Sequence, residues 1–192
     1  MKKIFFALVF AALSTVGYSQ AVQFGPKVGV NISNYTGGNI KSESIVGAHF
    51  GGILAFNFGN NFAIQPEVLF STQGAKIENI NGDKSEFKAN YVSIPVMLKL
   101  RTNGGLYIEA GPQVAFKAGE KSGDQTINDF ANGLDLALGA GIGYETKIGL
   151  AIGARYVAGL SKVGDFQSSN INPDFKNSVI QVGLYWAIPG RN

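Results

Sequence analysis

A two-residue period runs through this chain from about residue 23 to 188, and it constrains the fold more than any other feature. In LYIEAGPQVAF, residues 106–116, one apolar set holds Leu106, Ile108, Ala110, Pro112, Val114 and Phe116, and Tyr107, Glu109 and Gln113 interleave a polar one. Successive side chains of a strand point to opposite faces, so the pattern describes a ribbon with one hydrocarbon face and one polar face. Beyond the N-terminus no window keeps an apolar 3.6-residue period for three turns, so helix is expected to be nearly absent.

Strands are expected at about 23–33, 44–58, 62–75, 89–101, 106–118, 131–144, 148–160 and 177–188. Tight Asn/Gly-type turns at 59–61 (GNN), 102–105 (TNGG) and 145–147 (ETK) alternate with longer polar links at 34–43, 76–88, 119–130 and 161–176. Short and long links in alternation predict an all-β chain: an eight-stranded antiparallel up-and-down β-barrel with its long loops at one end.

Alternation alone does not say which face is inside. The apolar set is rich in Leu, Ile, Val and Phe, whereas the complementary set carries Lys27, His49, Glu67, Lys99, Glu109, Gln113, Asp135, Arg155 and Gln181 among glycines and alanines. An eight-stranded barrel has room inside only for side chains, and the bulky set would overfill it. Turned outward, that set meets lipid with no volume limit, which makes the barrel transmembrane. Aromatic residues of the apolar set fall near strand ends: Phe24, Phe58, Phe62, Tyr144 and Trp186 toward the short turns, and Phe70, Phe116 and Tyr156 toward the long links. Two such girdles mark two membrane interfaces. Residues 106–116 rise ~34 Å, which a tilt of ~40° reduces to ~26 Å, close to the ~25 Å apolar band of such barrels. The sparse polar face is balanced in sign, as suits paired charges in a lumen. Because lipid offers backbone groups no partners, the sheet must close on itself.

The first residues differ from the rest. Lys2 and Lys3, a short apolar run from Ile4 to Leu13, and small residues at Gly17 and Ser19 predict a cleaved signal peptide over 1–19, leaving 20–192 as the barrel domain. Removing two lysines lowers the formal charge from +3 to +1, so the basic balance implies no nucleic-acid partner. The chain has no cysteine, which excludes disulfides and thiolate metal sites.

FGPKVGVNIS, AIQPEVLFSTQGAK, NYVSIPVMLK, YIEAGPQVAF, LGAGIGYE and GARYVAGLSKV follow one another across nearly the whole mature chain. With QPE in the third strand, IPV in the fourth and EAGPQ in the fifth, this order resembles the PorT-like or OmpA-like outer-membrane β-barrel domain family of Gram-negative bacteria. The resemblance implies an integral outer-membrane barrel of the cell envelope, with lipid and the barrel-assembly machinery as partners. It brings no catalytic residue and no cofactor, and one member of the family is associated with secretion. Such barrels usually end on an aromatic residue read during assembly, but this chain ends WAIPGRN, which leaves Trp186 to serve.

Other motifs have simpler readings. GAGIG, residues 139–143, is followed by a strand rather than the helix that dinucleotide binding needs, so small lumen residues suffice. His49, the sole histidine, would have to serve any catalytic set, with Asp135 and Ser44 as orienter and nucleophile of a lipid-modifying enzyme; a satisfied lumen residue is the simpler reading, and no enzyme is expected. Glu67, Glu109 and Arg155 line either a transport path or a buried salt-bridge network, and the narrow lumen favours the network. Mixed charges at Lys76, Glu78, Asp83, Lys84 and Glu86 suit a solvated surface. Phe87, Phe130, Phe166 and Phe175 offer contact or rim packing. The Asn31 and Asn34 glycosylation patterns carry little weight in a bacterial barrel. The expected role is structural or interactive, with a closed polar lumen and mobile external loops; a narrow channel or secretion-associated barrel and the enzyme are the alternatives.

Overall fold

The computed structural model describes residues 21–37, 42–78, 84–122, 125–126, 134–161 and 176–190. Its elements in chain order are β1 (Ala21–Thr36), β2 (Ser42–Phe58), β3 (Phe62–Glu78), β4 (Lys84–Arg101), β5 (Leu106–Ser122), β6 (Gln125–Thr126), β7 (Leu134–Glu145), β8 (Leu150–Gly159), β9 (Lys176–Trp186) and β10 (Ile188–Pro189). Eight long strands pair with their sequence neighbours, all antiparallel, and β9 returns to β1, so the sheet closes. The signal-peptide reading, Asp83, Phe130, Phe166 and Phe175 lie outside the described residues.

Directly opposed residues trace a belt around the outer face. Val22 faces Phe56, and the belt continues through Ile64, Leu98, Ala110, Ala140, Tyr156 and Ile180 to Ile32. It rejoins β1 ten residues beyond its start, so the barrel has eight strands and a shear of ten. With a strand spacing of ~4.8 Å and a rise of ~3.3 Å, that stagger tilts the strands by about 40°.

At the short-turn end three glycines take the left-handed region that only glycine adopts cheaply: Gly59 (φ 65°), Gly105 (φ 93°) and Gly149 (φ 81°). Two of these turns also lock onto neighbouring strands. Gly105 O accepts from Glu145 N, and Gly149 O accepts from Ala187 N, both at 2.8 Å. The pairing of the last strand with β1 is interrupted between β9 and β10, where continuation of the register would set Trp186 opposite Pro26. Proline has no N–H to give to the ladder, and the same register resumes at Phe24–Ile188.

The strands are unequal. β2, β3, β4 and β5 have 17, 17, 18 and 17 residues and β1 has 16, whereas β8 has 10; β7 and β9 are described over 12 and 11 residues. The β3–β4 ladder runs as far as Glu78–Lys84. Most of the polar link expected at 76–88 is therefore paired strand, and β5 extends four residues into the 119–130 link. A 17-residue strand tilted by about 40° climbs ~43 Å, well beyond a ~25 Å apolar band. The four long strands thus form a wall above the membrane on the side opposite the short turns. Near its base Thr72 and Asn90 face each other on the outer surface, joined by a 2.9 Å hydrogen bond.

Candidate functional site: a cross-bridged lumen

Inward-facing positions follow from parity, and the space they fill follows from glycines. A Cβ on Gly143 or Gly153 would come within 2.4 Å of the Tyr107 ring or hydroxyl, and one on Gly29 would meet the His49 ring at 2.5 Å. The glycines of GAGIG thus leave room for side chains that cross the lumen from other strands.

The nine polar residues expected inside are all on the inner face, none more than 8% exposed. Arg155 on β8 is the hub. Its Nη1 and Nη2 donate to the two oxygens of Glu67 on β3 at 3.0 and 2.8 Å, and its Nε donates to Glu109 Oε1 on β5 at 2.8 Å. Lys27 on β1 donates to Glu67 Oε2 at 2.9 Å, and Gln65 donates to Glu67 Oε1 at 2.8 Å. Four strands are tied across the barrel by one guanidinium and its partners. Such fork geometry satisfies both carboxylate oxygens, which is what makes a desolvated carboxylate tolerable.

Toward the short turns a second cluster is built around Lys99. Its ammonium donates to Gln65 Oε1 at 2.7 Å and to Tyr185 Oη at 2.6 Å, and it sits 4.3 and 4.4 Å from the ring centres of Tyr107 and Tyr185. Tyr185 donates to Glu145 Oε2 at 2.7 Å, and Arg101 pairs with the other oxygen of Glu145 and donates to Asn57 at 2.7 Å. Glu145 was expected in the ETK turn; it is instead the last residue of β7 and faces inward. Its odd number continues the parity of Asp135, a signal that the adjoining turn residues obscured.

Asp135, expected among the paired charges, stands apart from both clusters and accepts from Ser161 Oγ at 2.7 Å. Glu145 takes the place opposite Lys99, at 3.8 Å. On the long-loop side, beside Asp135, a set of uncharged side chains is hydrogen-bonded. His49 Nδ1 lies 2.7 Å from Asn31 Oδ1; Asn31 and Gln73 both donate to Ser71 Oγ, at 3.0 and 2.9 Å, and Asn177 donates to Gln73. Gln113 and Gln181 are buried with a side-chain oxygen that has no protein partner. Ser44 is exposed, so His49, Asp135 and Ser44 do not converge.

Apolar inner residues bracket these polar layers. Ile53, Tyr107, Ala151, Tyr185 and Ala187 cluster toward the short turns, while Ala137, Val157 and Val179 cluster toward the loops, as do Ala89, Tyr91 and Ala115. Outside, the arrangement is inverted: Phe24, Phe58, Phe70, Phe116, Tyr144, Tyr156 and Trp186 are exposed and Phe62 is half-exposed. Trp186 Nε1 donates to Ile148 O at 3.0 Å, which ties the indole to the short-turn edge.

Comparison with known proteins agrees with this architecture. Neisserial surface protein A (NspA) superposes with a TM-score of 0.52 at 13% identity, covering 85% of this chain and 96% of that one. Ail, the attachment invasion locus protein of Yersinia pestis, superposes with a TM-score of 0.51 at 17% identity, covering 88% of this chain and 100% of that one. At such identity the likeness is one of fold. No curated protein matches the sequence. Residues 18–165 match the family described as outer membrane protein beta-barrel domain, and the chain therefore belongs to that family of integral barrels of the bacterial outer membrane.

Proposed function

We propose that the protein is a closed barrel that serves envelope architecture or contact with an external partner, and that it neither conducts nor catalyses. The observation that carries this reading is the bridge from Arg155 to both Glu67 and Glu109, which spans the lumen at mid-height with Lys27 bound to the same carboxylate. A diffusing solute would have to break several charge-assisted hydrogen bonds between buried ions. The long β2–β5 wall is the part suited to meet a partner, because it stands clear of the lipid and a rigid sheet positions what its edge carries. Within the family, QPE, IPV and EAGPQ favour the PorT-like branch, and a secretion-associated barrel is the second reading that this branch brings.

Planar-bilayer recording tests the closed lumen. The refolded protein is expected to give no stable single-channel steps; regular steps from the unmodified chain would make it a channel. A His49→Ala variant is expected to leave every lipid-modifying assay unchanged, since His49 is engaged with Asn31 and meets neither Asp135 nor Ser44.

A further inference from the structure

Among the described residues the hydrogen-bonded chains of the lumen form two sets. The ionic set runs from Asn57 through Arg101, Glu145, Tyr185, Lys99, Gln65 and Glu67 to Arg155 and Glu109. The neutral set runs from His49 through Asn31, Ser71 and Gln73 to Asn177. They meet at a cavity that Lys27, His49, Glu109, Arg155 and Gln181 help to line, with about 10 Å³ available to the centre of a water molecule. Three buried polar atoms of its lining have no protein partner: His49 Nε2, Glu109 Oε2 and Gln181 Oε1. Side chains of β2, β5 and β9 thus bring three unsatisfied atoms to one small space.

All three are acceptors. Asn31 directs its amide nitrogen to Ala48 O, Ser71 Oγ and Thr72 O, so the Oδ1 facing His49 must accept. That puts the proton of a neutral imidazole on Nδ1 and leaves a lone pair on Nε2. We infer that this cavity is a binding site for ordered water, whose protons go to Glu109 Oε2, His49 Nε2 and Gln181 Oε1 and so join the ionic and neutral sets into a single chain across the lumen. Its oxygen can accept from the Lys27 ammonium on the same wall. The space admits water, and a buried water of this kind normally makes about three hydrogen bonds. A cation would offer donors too, but Lys27 and Arg155 already balance Glu67 and Glu109, so a third positive charge would stand uncompensated.

The test uses the full barrel refolded in detergent micelles, with water itself as the probe. Nuclear Overhauser transfer from a long-lived water to the Gln181 side-chain amide and the Gly183 amide is expected in the unmodified protein. Oxygen-17 relaxation dispersion is expected to count fewer long-lived waters in each of His49→Phe and Gln181→Leu, both still showing heat-modifiable migration. If either variant fails to refold, the transfer experiment on the unmodified chain decides alone. Absence of bound-water transfer overturns the inference, as does a signal that appears only on adding ammonium or sodium, which would assign the site to a cation.

Discussion

The inner and outer faces of this barrel obey different rules although they alternate residue by residue. Outside, Leu98 is 49% exposed and directly opposes Ile64 and Ala110, and any apolar side chain of any shape would meet lipid equally well. One position further along β4, Lys99 is 1% exposed and bound by Gln65 and Tyr185, with Glu145 at 3.8 Å. The outer face is specified by hydrophobicity alone, whereas the inner face is specified by partner, distance and donor count. One strand therefore carries a permissive code and an exacting one, interleaved.

Substitutions can break or sharpen this contrast. The largest effect is expected from Arg155→Leu, which takes the guanidinium from Glu109 and leaves Glu67 with Lys27 and Gln65, and should cost about 3–5 kcal/mol, read as the shift in denaturant midpoint of the vesicle-inserted barrel. Leu98→Arg comes next: a cation at the lipid midplane should cost ~2–4 kcal/mol and reduce the fraction showing heat-modifiable migration. If Leu98→Arg were tolerated as well as Leu98→Ile, the assignment of faces would fail. Gly143→Ala adds only a methyl group, yet on the inner face it meets the Tyr107 ring and Ile152 O, so overpacking of ~1–3 kcal/mol is expected. The smallest effect is expected from Ile142→Leu, its outward neighbour on β7, within about 0.5 kcal/mol. A cost for Ile142→Leu equal to that for Gly143→Ala would show that shape matters on both faces.

How far these rules were legible in the sequence follows from their range. Parity is local, so the face of each of the nine polar residues and the eight aromatics could be read from its neighbours along one strand. Pairing is not local: Arg155 reaches Glu109 across 46 positions and Glu67 across 88, distances fixed only once the shear is known. Hence Asp135 was expected to pair with the lumen cations, while Glu145, next to turn residues, was not expected in the lumen at all. The wall above the membrane escaped for a different reason. In KIENINGDKSEFK polar residues fall on both parities, so alternation gives no signal and the stretch reads as a loop although residues 76–78 and 84–88 pair as strands. Lys99 between Tyr107 and Tyr185 was equally hidden, since each tyrosine alone is compatible with either face.

Hydrocarbon faces lipid and the ions face the lumen, and the chain's single tryptophan reports on this directly. Trp186 is 48% exposed on the outer surface. Its fluorescence is measured in vesicles whose acyl chains carry bromine, with iodide in the surrounding buffer as the control. Strong quenching by the brominated lipid and little by iodide is the predicted result; an indole untouched by the lipid bromines would contradict it.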